Sequence, residues 1–163
     1  MTGTLLAGLI QETIADVERT VARAEAAMQK AQRTGDDMYL DAAAVNLHTF
    51  YTGLEHLFET IAREIDGSLP SGPSWHTDLL RQMAADVPGV RPAVLSRASR
   101  DCLEEYRSFR HVVRHIYMFN LHPGRVRLLV SELRACFERV RADLERFAEV
   151  IARIDDADQA DGE

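Results

Sequence analysis

The sequence predicts an all-α protein, an antiparallel bundle of four to five helices. Two observations support this fold class: apolar residues recur at steps of three and four along most of the chain, and no segment alternates at the period of two typical of strands. The helical segments are long and the breaks between them short, which favours antiparallel packing of neighbouring helices. We expect one helical domain over residues 1–157, followed by a mobile acidic tail at 158–163.

The first two predicted helices form the N-terminal half of this bundle. Apolar positions from Leu6 to Met28 follow helical spacing, and Gly35 is a typical helix stop. The acidic pair at 36–37 suits the first turn of a second helix, which is expected to run through Ile65. The segment "DGSLPSGP" at 66–73 contains two glycines and two prolines, which predicts a loop.

Three further helices are predicted in the C-terminal half. A short helix begins after Ser74, a suitable N-cap, and runs to about Ala85. A fourth begins near Pro92 and carries an apolar stripe to the break "NLHPG" at 120–124. The fifth, from about Pro123 to Asp155, has the longest apolar seam, and part of that seam could pack against a second copy of the chain.

The composition indicates a cytoplasmic protein. The chain has 163 residues, 46% of them hydrophobic and 28% charged, and no apolar run approaches the roughly 18 residues of a membrane span. The first ten residues lack the basic region of a secretory signal. Cys102 and Cys136 both lie in predicted helices and are expected to be reduced core thiols, although the sequence leaves a disulfide open.

Charge is unevenly distributed along the chain. Residues 1–90 hold 6 basic residues against 13 acidic ones, and residues 128–163 hold 5 against 10. Residues 91–127 instead hold 8 arginines against 3 acidic residues, within a chain of net charge −7. The overall charge argues against a protein that coats nucleic acid. The basic segment suits either a local phosphate-binding site or ion pairs with the acidic helices.

The densest group of basic residues is the stretch "RHVVRHIY" at 110–117, in the fourth predicted helix. Helical spacing places Arg107, His111 and Arg114 on one solvent-side ridge. His115 is rotated by roughly 140° from Arg110 on a regular helix, so the two side chains should not meet there. Three explanations remain open for Arg110 and His115: the helix is distorted here, the two residues have unrelated roles, or a second copy of the chain completes the site.

The spacing of this stretch resembles a known family signature. Arg110-x4-His115-x-Tyr117 is similar to the Arg-x4-His-x-Tyr motif of HepT-like proteins in the HEPN superfamily, in which the residue after the arginine is typically polar, as His111 is here. The segment "SWHTDLLRQM" at 74–83 is also similar to one that HepT-like chains carry before the motif helix. The resemblance covers about residues 30–150 and includes the helical architecture.

The resemblance implies a metal-independent endoribonuclease toxin; we expect it to need no cofactor, and the geometry of the motif helix favours a homodimer. In such a reaction the ribose 2′-OH attacks the adjacent phosphorus, and a base and an acid transfer the protons. This implies a proton-transfer role for His115 and phosphate binding by Arg110, with Arg107, His111 and Arg114 as further RNA-binding residues.

The resemblance also implies a partner. HepT-like toxins are usually encoded beside a minimal nucleotidyltransferase, which attaches AMP to the motif tyrosine and silences the toxin. Tyr117 is the residue that matches, and a bulky anionic group there would block the phosphate site. The alternative is that Tyr117 is an ordinary helix-end aromatic with a solvated hydroxyl.

Two other interpretations remain open at the level of sequence. His111 and His115 have the spacing of a helical metal site, with His122 or His76 as a third ligand, but the neighbouring arginines disfavour a dication. We therefore predict no metal site, and expect the histidines at 48, 56 and 76 to be surface or hydrogen-bonded core residues. A non-catalytic helical adaptor that binds nucleotides or a partner protein is the alternative function.

Overall fold

The computed structural model confirms an all-α fold. It describes residues 1–160; at 118, 155–156 and 158–160 only the backbone is described. The five α-helices are α1 (Gly3–Thr34), α2 (Met38–Ile61), α3 (Trp75–Met83), α4 (Arg97–Val113) and α5 (Pro123–Ala160). A π-helical turn, Ala62–Asp66, continues α2, and a 3-10 turn, Met118–Asn120, lies between α4 and α5. The predicted mobile tail at 158–163 stays a prediction, since α5 runs to Ala160 and residues 161–163 lie outside the described chain.

The core lies where α1 packs against both α2 and α5. The apolar stripes predicted from the sequence are the buried faces of these helices, with large side chains such as Phe50, Phe58 and Phe137 fully enclosed. A short turn joins α1 to α2, and Gly35 within it has a φ of 68°, a conformation that glycine adopts without steric cost. Arg134 of α5 also pairs with Glu18 and Glu25 of α1 at the surface.

The motif helix α4 is shorter than predicted at both ends. It begins at Arg97, not near Pro92, because the Ser96 side chain caps it by accepting from the Ser99 N–H. Asp143 of α5 fixes this start, since it accepts hydrogen bonds from the Ser96 N–H and the Ser99 hydroxyl over 2.8 and 2.6 Å. The helix ends at Val113, so the second half of "RHVVRHIY" lies beyond it.

The connection from α2 to α4 is held by a buried ion pair. Arg91 donates to both carboxylate oxygens of Asp66 over 2.6 and 2.7 Å, and these side chains are 0% and 3% exposed. Its guanidinium also donates to the carbonyls of Gln82, Ala85 and Pro92. These bonds attach the irregular segment after α3 to the end of the π-helical turn. They therefore fix the position of the segment that leads into α4.

The expectation of two reduced thiols is wrong in this structure, where Cys102 of α4 and Cys136 of α5 form a disulfide. Their Cα atoms are 5.8 Å apart, within the range that a disulfide spans. Cys136 is buried at the contact of the two helices, and Cys102 is half-buried beside it. The bond ties the motif helix directly to α5.

None of the helices within residues 1–160 is long and apolar enough to cross a membrane.

Candidate functional site

One face of α2 carries polar residues beside the apolar stripe of the helix. His48, Thr52 and Glu55 recur at helical spacing, with the buried Tyr51 between them. This face packs against α4, so the buried Glu55 faces the motif, with the half-buried His48 and Thr52 on either side of Tyr51. A buried carboxylate needs a cationic or hydrogen-bonding partner, and α4 supplies one.

Arg110 is that partner, and its side chain is turned inward. It donates from Nη1 to Glu55 Oε1 over 2.7 Å and from Nη2 to Glu55 Oε2 over 3.0 Å. The two side chains are only 4% and 3% exposed, and the guanidinium carbon lies 5.0 Å from the centre of the Tyr51 ring. The planar fork of an arginine matches a carboxylate in this bidentate arrangement, which fixes the orientation of both groups.

His76 joins this ion pair from α3. Its Nδ1 lies 2.8 Å from Glu55 Oε2 and 2.8 Å from Arg110 Nη2. An unprotonated Nδ1 accepts from the arginine, whereas a protonated Nδ1 donates to the carboxylate, so one nitrogen satisfies one of these contacts at a time. The Trp75 ring packs on the imidazole with centroids 3.6 Å apart and fixes its plane. Three helices therefore converge on one charged cluster.

Burial and the charges of the cluster shift the pKa values of two neighbouring side chains. Burial lowers the pKa of His48, and the positive charges of Arg110 and Arg114 lower it further. Burial raises the pKa of the Tyr51 hydroxyl, with the negative charge of Glu55 adding to that shift. Tyr51 and His48 are therefore both neutral at pH 7, and the net charge of this face is carried by arginines and Glu55.

His115 lies on the surface just beyond the end of α4. Its Nδ1 is 2.8 Å from the carbonyl oxygen of His111, and the two imidazole rings are 4.6 Å apart between centroids. A carbonyl only accepts, so Nδ1 carries the hydrogen, and in the neutral ring the lone pair is on Nε2. His115 can therefore act as a base through Nε2, or as an acid when doubly protonated. His111, Arg114 and His115 are all exposed.

Comparison with known families identifies the chain. A family model described as HepT-like protein matches residues 42–151, more than half of the 163 residues. The chain belongs to the HepT-like family. Neither the comparison with curated proteins nor that with solved structures gave a match. The resemblance inferred from Arg110, His115 and Tyr117 is thus confirmed at the level of the family.

The HepT-like motif is divided between two environments in this chain. Arg110 is buried and bonded to Glu55, Thr52 and His76, while His115 is exposed and bonded to His111, and within residues 1–160 no hydrogen bond joins Arg110 to His115. Of the predicted ridge, His111 and Arg114 are exposed, and Arg107 is half-buried and donates to Glu104.

Tyr117 lies after the end of the motif helix and is 73% exposed. Its ring is stacked on Phe119. Within the described part of this HepT-like chain, no group of three His, Cys, Asp or Glu side chains is arranged to hold a metal ion.

Sequence reasoning missed Glu55 and underestimated His76 in this HepT-like site. Glu55 is a charged residue in the apolar stripe of α2, between Leu54 and Leu57. A charged residue at such a position is the sequence signal that could have indicated a buried ion pair. His76 was expected to be a surface or hydrogen-bonded core residue, and it is the second of these, bonded to the motif arginine itself. Spacing within one helix relates Arg110, His115 and Tyr117 to one another, whereas contacts between helices, such as those of Glu55 and His76, leave no spacing signal.

Proposed function

We propose that this chain is a metal-independent endoribonuclease toxin of a toxin–antitoxin system. The observation that supports it most is membership of the HepT-like family with the complete motif at Arg110, His115 and Tyr117. The expected reaction forms a bond between the ribose 2′-oxygen and phosphorus and breaks the bond to the 5′-oxygen. It leaves a 2′,3′-cyclic phosphate and a 5′-hydroxyl, so no water or metal enters that step.

The roles follow from exposure and chemistry. His115 transfers the protons, because its Nε2 is the nitrogen left available by the bond from Nδ1 to the His111 carbonyl. Arg114 is an exposed cation and His111 an exposed hydrogen-bonding side chain, and both can contact the RNA backbone, with Arg107 at the edge of the same face. Arg110 binds the phosphate only if RNA displaces Glu55 from part of its guanidinium, because both Nη1 and Nη2 donate to that buried carboxylate.

We also propose that the active form is a homodimer. Within the described chain the buried Arg110 and the exposed His115 have different hydrogen-bond partners and no bond to each other. A twofold arrangement of two copies would place two histidines at one cleft and supply an acid and a base together. A molar mass of twice 18.3 kDa in light scattering supports this, and a monomer that cleaves RNA contradicts it.

The nuclease proposal is tested with purified protein, RNA and EDTA. We expect cleavage that resists EDTA and falls by about 100-fold or more in His115→Ala, since removal of a proton-transfer group costs on the order of 10²–10⁴. The matched control is His56→Ala, another exposed histidine, on α2 and outside the motif. Intact RNA with the unmodified protein, or equal loss in both variants, would contradict the proposal.

A second proposal concerns silencing at Tyr117. We propose that a partner nucleotidyltransferase joins the tyrosine oxygen to the α-phosphorus of ATP, with loss of the phenolic proton and release of pyrophosphate. The 73% exposure of Tyr117 supports this, because the hydroxyl must enter another active site. After co-expression with the enzyme of an adjacent gene, mass spectrometry should find the AMP adduct, absent from Tyr117→Phe and present in Tyr39→Phe. An adduct that persists in Tyr117→Phe would place the modification elsewhere.

One observation favours the alternative of a non-catalytic adaptor. The burial of Arg110 and the bonds of its Nη1 and Nη2 to Glu55 and His76 are what a structural ion pair would show. An adaptor binds nucleotides or a partner protein and leaves RNA intact under all the conditions above. Growth arrest on expression, relieved by His115→Ala, is expected from the toxin and not from the adaptor.

A further inference from the structure

An exposed pair of aromatic rings follows the motif. Phe119 is 82% exposed and Tyr117 73%, their planes are parallel to within 5°, and the ring centroids are 5.3 Å apart. Two large aromatic side chains held side by side in water are unusual for a folded surface, where isolated apolar residues are ordinary but clusters mark binding sites. The 3-10 turn fixes the pair, through the bond from the Asn120 N–H to the Tyr117 carbonyl over 2.9 Å.

A small cavity opens beside Phe119. It has a volume of about 250 Å³ and lies between the segment that follows the motif and the first turn of α2. The exposed Met38 and the side chain of Leu121 provide apolar walls, and Asp37 and Asp41 provide carboxylates. In the described chain neither carboxylate is engaged in a hydrogen bond or an ion pair, so both have free acceptor oxygens.

The charges around the aromatic pair are arranged with opposite signs. The cation Arg114 precedes it in the chain and is exposed, with the exposed imidazoles of His111 and His115 beside it in sequence, whereas the two carboxylates line the cavity that Phe119 borders. A phosphate group is attracted to the first side and repelled by the second. A ligand matches both sides if it has an anionic group for the basic side and a planar ring with hydrogen-bond donors for the side of the carboxylates.

We propose that this cavity binds a nucleobase of single-stranded RNA, one that carries an exocyclic amino group. The base stacks on Phe119 and its amino group donates to Asp37 or Asp41, while the adjoining phosphates lie toward Arg114 and His115. This inference rests on the proposed function, because it names the form of RNA that the same site accepts. It makes Phe119 and the carboxylates the specificity-determining residues of that site.

Two features of the ligand follow from the chemistry. Stacking on a protein ring requires a base whose face is free, which a single strand offers and a duplex does not. Cytosine presents an amino group at the position where uracil presents a carbonyl, and a carboxylate accepts from the first and repels the second. Cytosine and uracil are the same size, so their comparison isolates this contact from stacking.

The test is a binding measurement that does not depend on cleavage. Fluorescence anisotropy is recorded with short labelled oligo(C) and oligo(U) whose riboses are 2′-O-methylated, so that no 2′-hydroxyl can attack. We expect oligo(C) to bind about 5-fold or more tightly than oligo(U), and Phe119→Ala to weaken oligo(C) by at least about 5-fold. Phe119→Trp keeps a stacking surface and should retain binding, and Asp37→Asn with Asp41→Asn should reduce the preference for cytosine.

The control is Leu128→Ala, which removes an exposed apolar side chain on α5. Unchanged melting temperatures verify folding, since Phe119 is a surface residue. Equal binding by Phe119→Ala and the unmodified protein overturns the proposal, as does equal affinity for oligo(U) and oligo(C) or for a duplex. If oligo(C) binds through Phe119 but the protein cleaves no RNA, only the nuclease proposal fails. If Phe119→Ala cleaves RNA with unchanged KM, only the base pocket fails.

Discussion

Replacing Glu55 with glutamine removes the anionic partner of the buried motif arginine. The Glu55 and Arg110 side chains are 3% and 4% exposed and share two hydrogen bonds, so water cannot compensate for the lost charge. The glutamine keeps one acceptor oxygen and a similar shape, which limits the change to the charge and one bond. We expect the free energy of unfolding to fall because Arg110 is left as an unbalanced buried cation.

The size of the effect follows from the geometry. Removing one partner of a buried ion pair costs about 3–5 kcal/mol, and two charges about 4 Å apart interact by about 4 kcal/mol at an effective dielectric constant of 20. Because glutamine still accepts one hydrogen bond, we expect the lower end, about 3 kcal/mol. For a chain of 163 residues this corresponds to a fall in melting temperature of roughly 6–12 °C.

The measurement is urea and thermal unfolding of Glu55→Gln, Arg110→Met and the double variant. If the pair is coupled, the double variant loses less stability than the two single variants combined. Asp66→Asn is the matched control: it breaks the other buried bidentate pair, with Arg91, and should lower stability while leaving RNA cleavage by the folded protein intact. A loss below about 1 kcal/mol in Glu55→Gln, as an exposed pair would give, would refute the view of Glu55 as the buried counterion of the motif.

Two further predictions concern how α4 is attached to α5. Reducing the Cys102–Cys136 disulfide, whose cysteines are 34 residues apart, should lower the unfolding free energy by about 4 kcal/mol in urea titrations with and without reductant; an unchanged midpoint would contradict this. Burial opposes ionisation of Asp143, but hydrogen bonds from Ser99 and Ser96 outweigh it and lower its pKa. Stability from this group is therefore present above the unfolded pKa of about 3.9 and lost as pH falls through the lower folded value. In Asp143→Asn the free energy of unfolding should therefore fall less steeply as the pH is lowered below about 4. The same pH dependence in the variant and the unmodified protein would count against this prediction.

The sequence was sufficient for the helices and the family, and insufficient for the interior of the site. Periodicity predicts a stripe such as that of α5 because each apolar position is set by its own helix. The pairing of Glu55 with Arg110 spans 55 residues and depends on how α2 and α4 pack, which no local pattern encodes. The same holds for the disulfide, where two cysteines on different helices gave no spacing signal.

The sequence predicts too late an end for α4, and the reason is a different one. Between Phe109 and the break at 120–124 there is no glycine or proline, so local propensity favours a continuing helix. In the structure the chain leaves the helix at Val113, with bonds from the Arg114 and His115 N–H groups that close a final turn. His115 thereby sits outside the helix, and its predicted rotation from Arg110 does not apply to the real backbone.

The burial of Arg110 has a practical consequence for anyone who makes an inactive form of this protein. An alanine there would remove the counterion of Glu55, so reduced toxicity could come from unfolding and lower abundance in the cell rather than from lost chemistry. Replacing His115 should leave the folding stability nearly unchanged, because its side chain is exposed and its hydrogen bond is to the carbonyl of His111. Replacing that histidine gives the cleaner inactive reference.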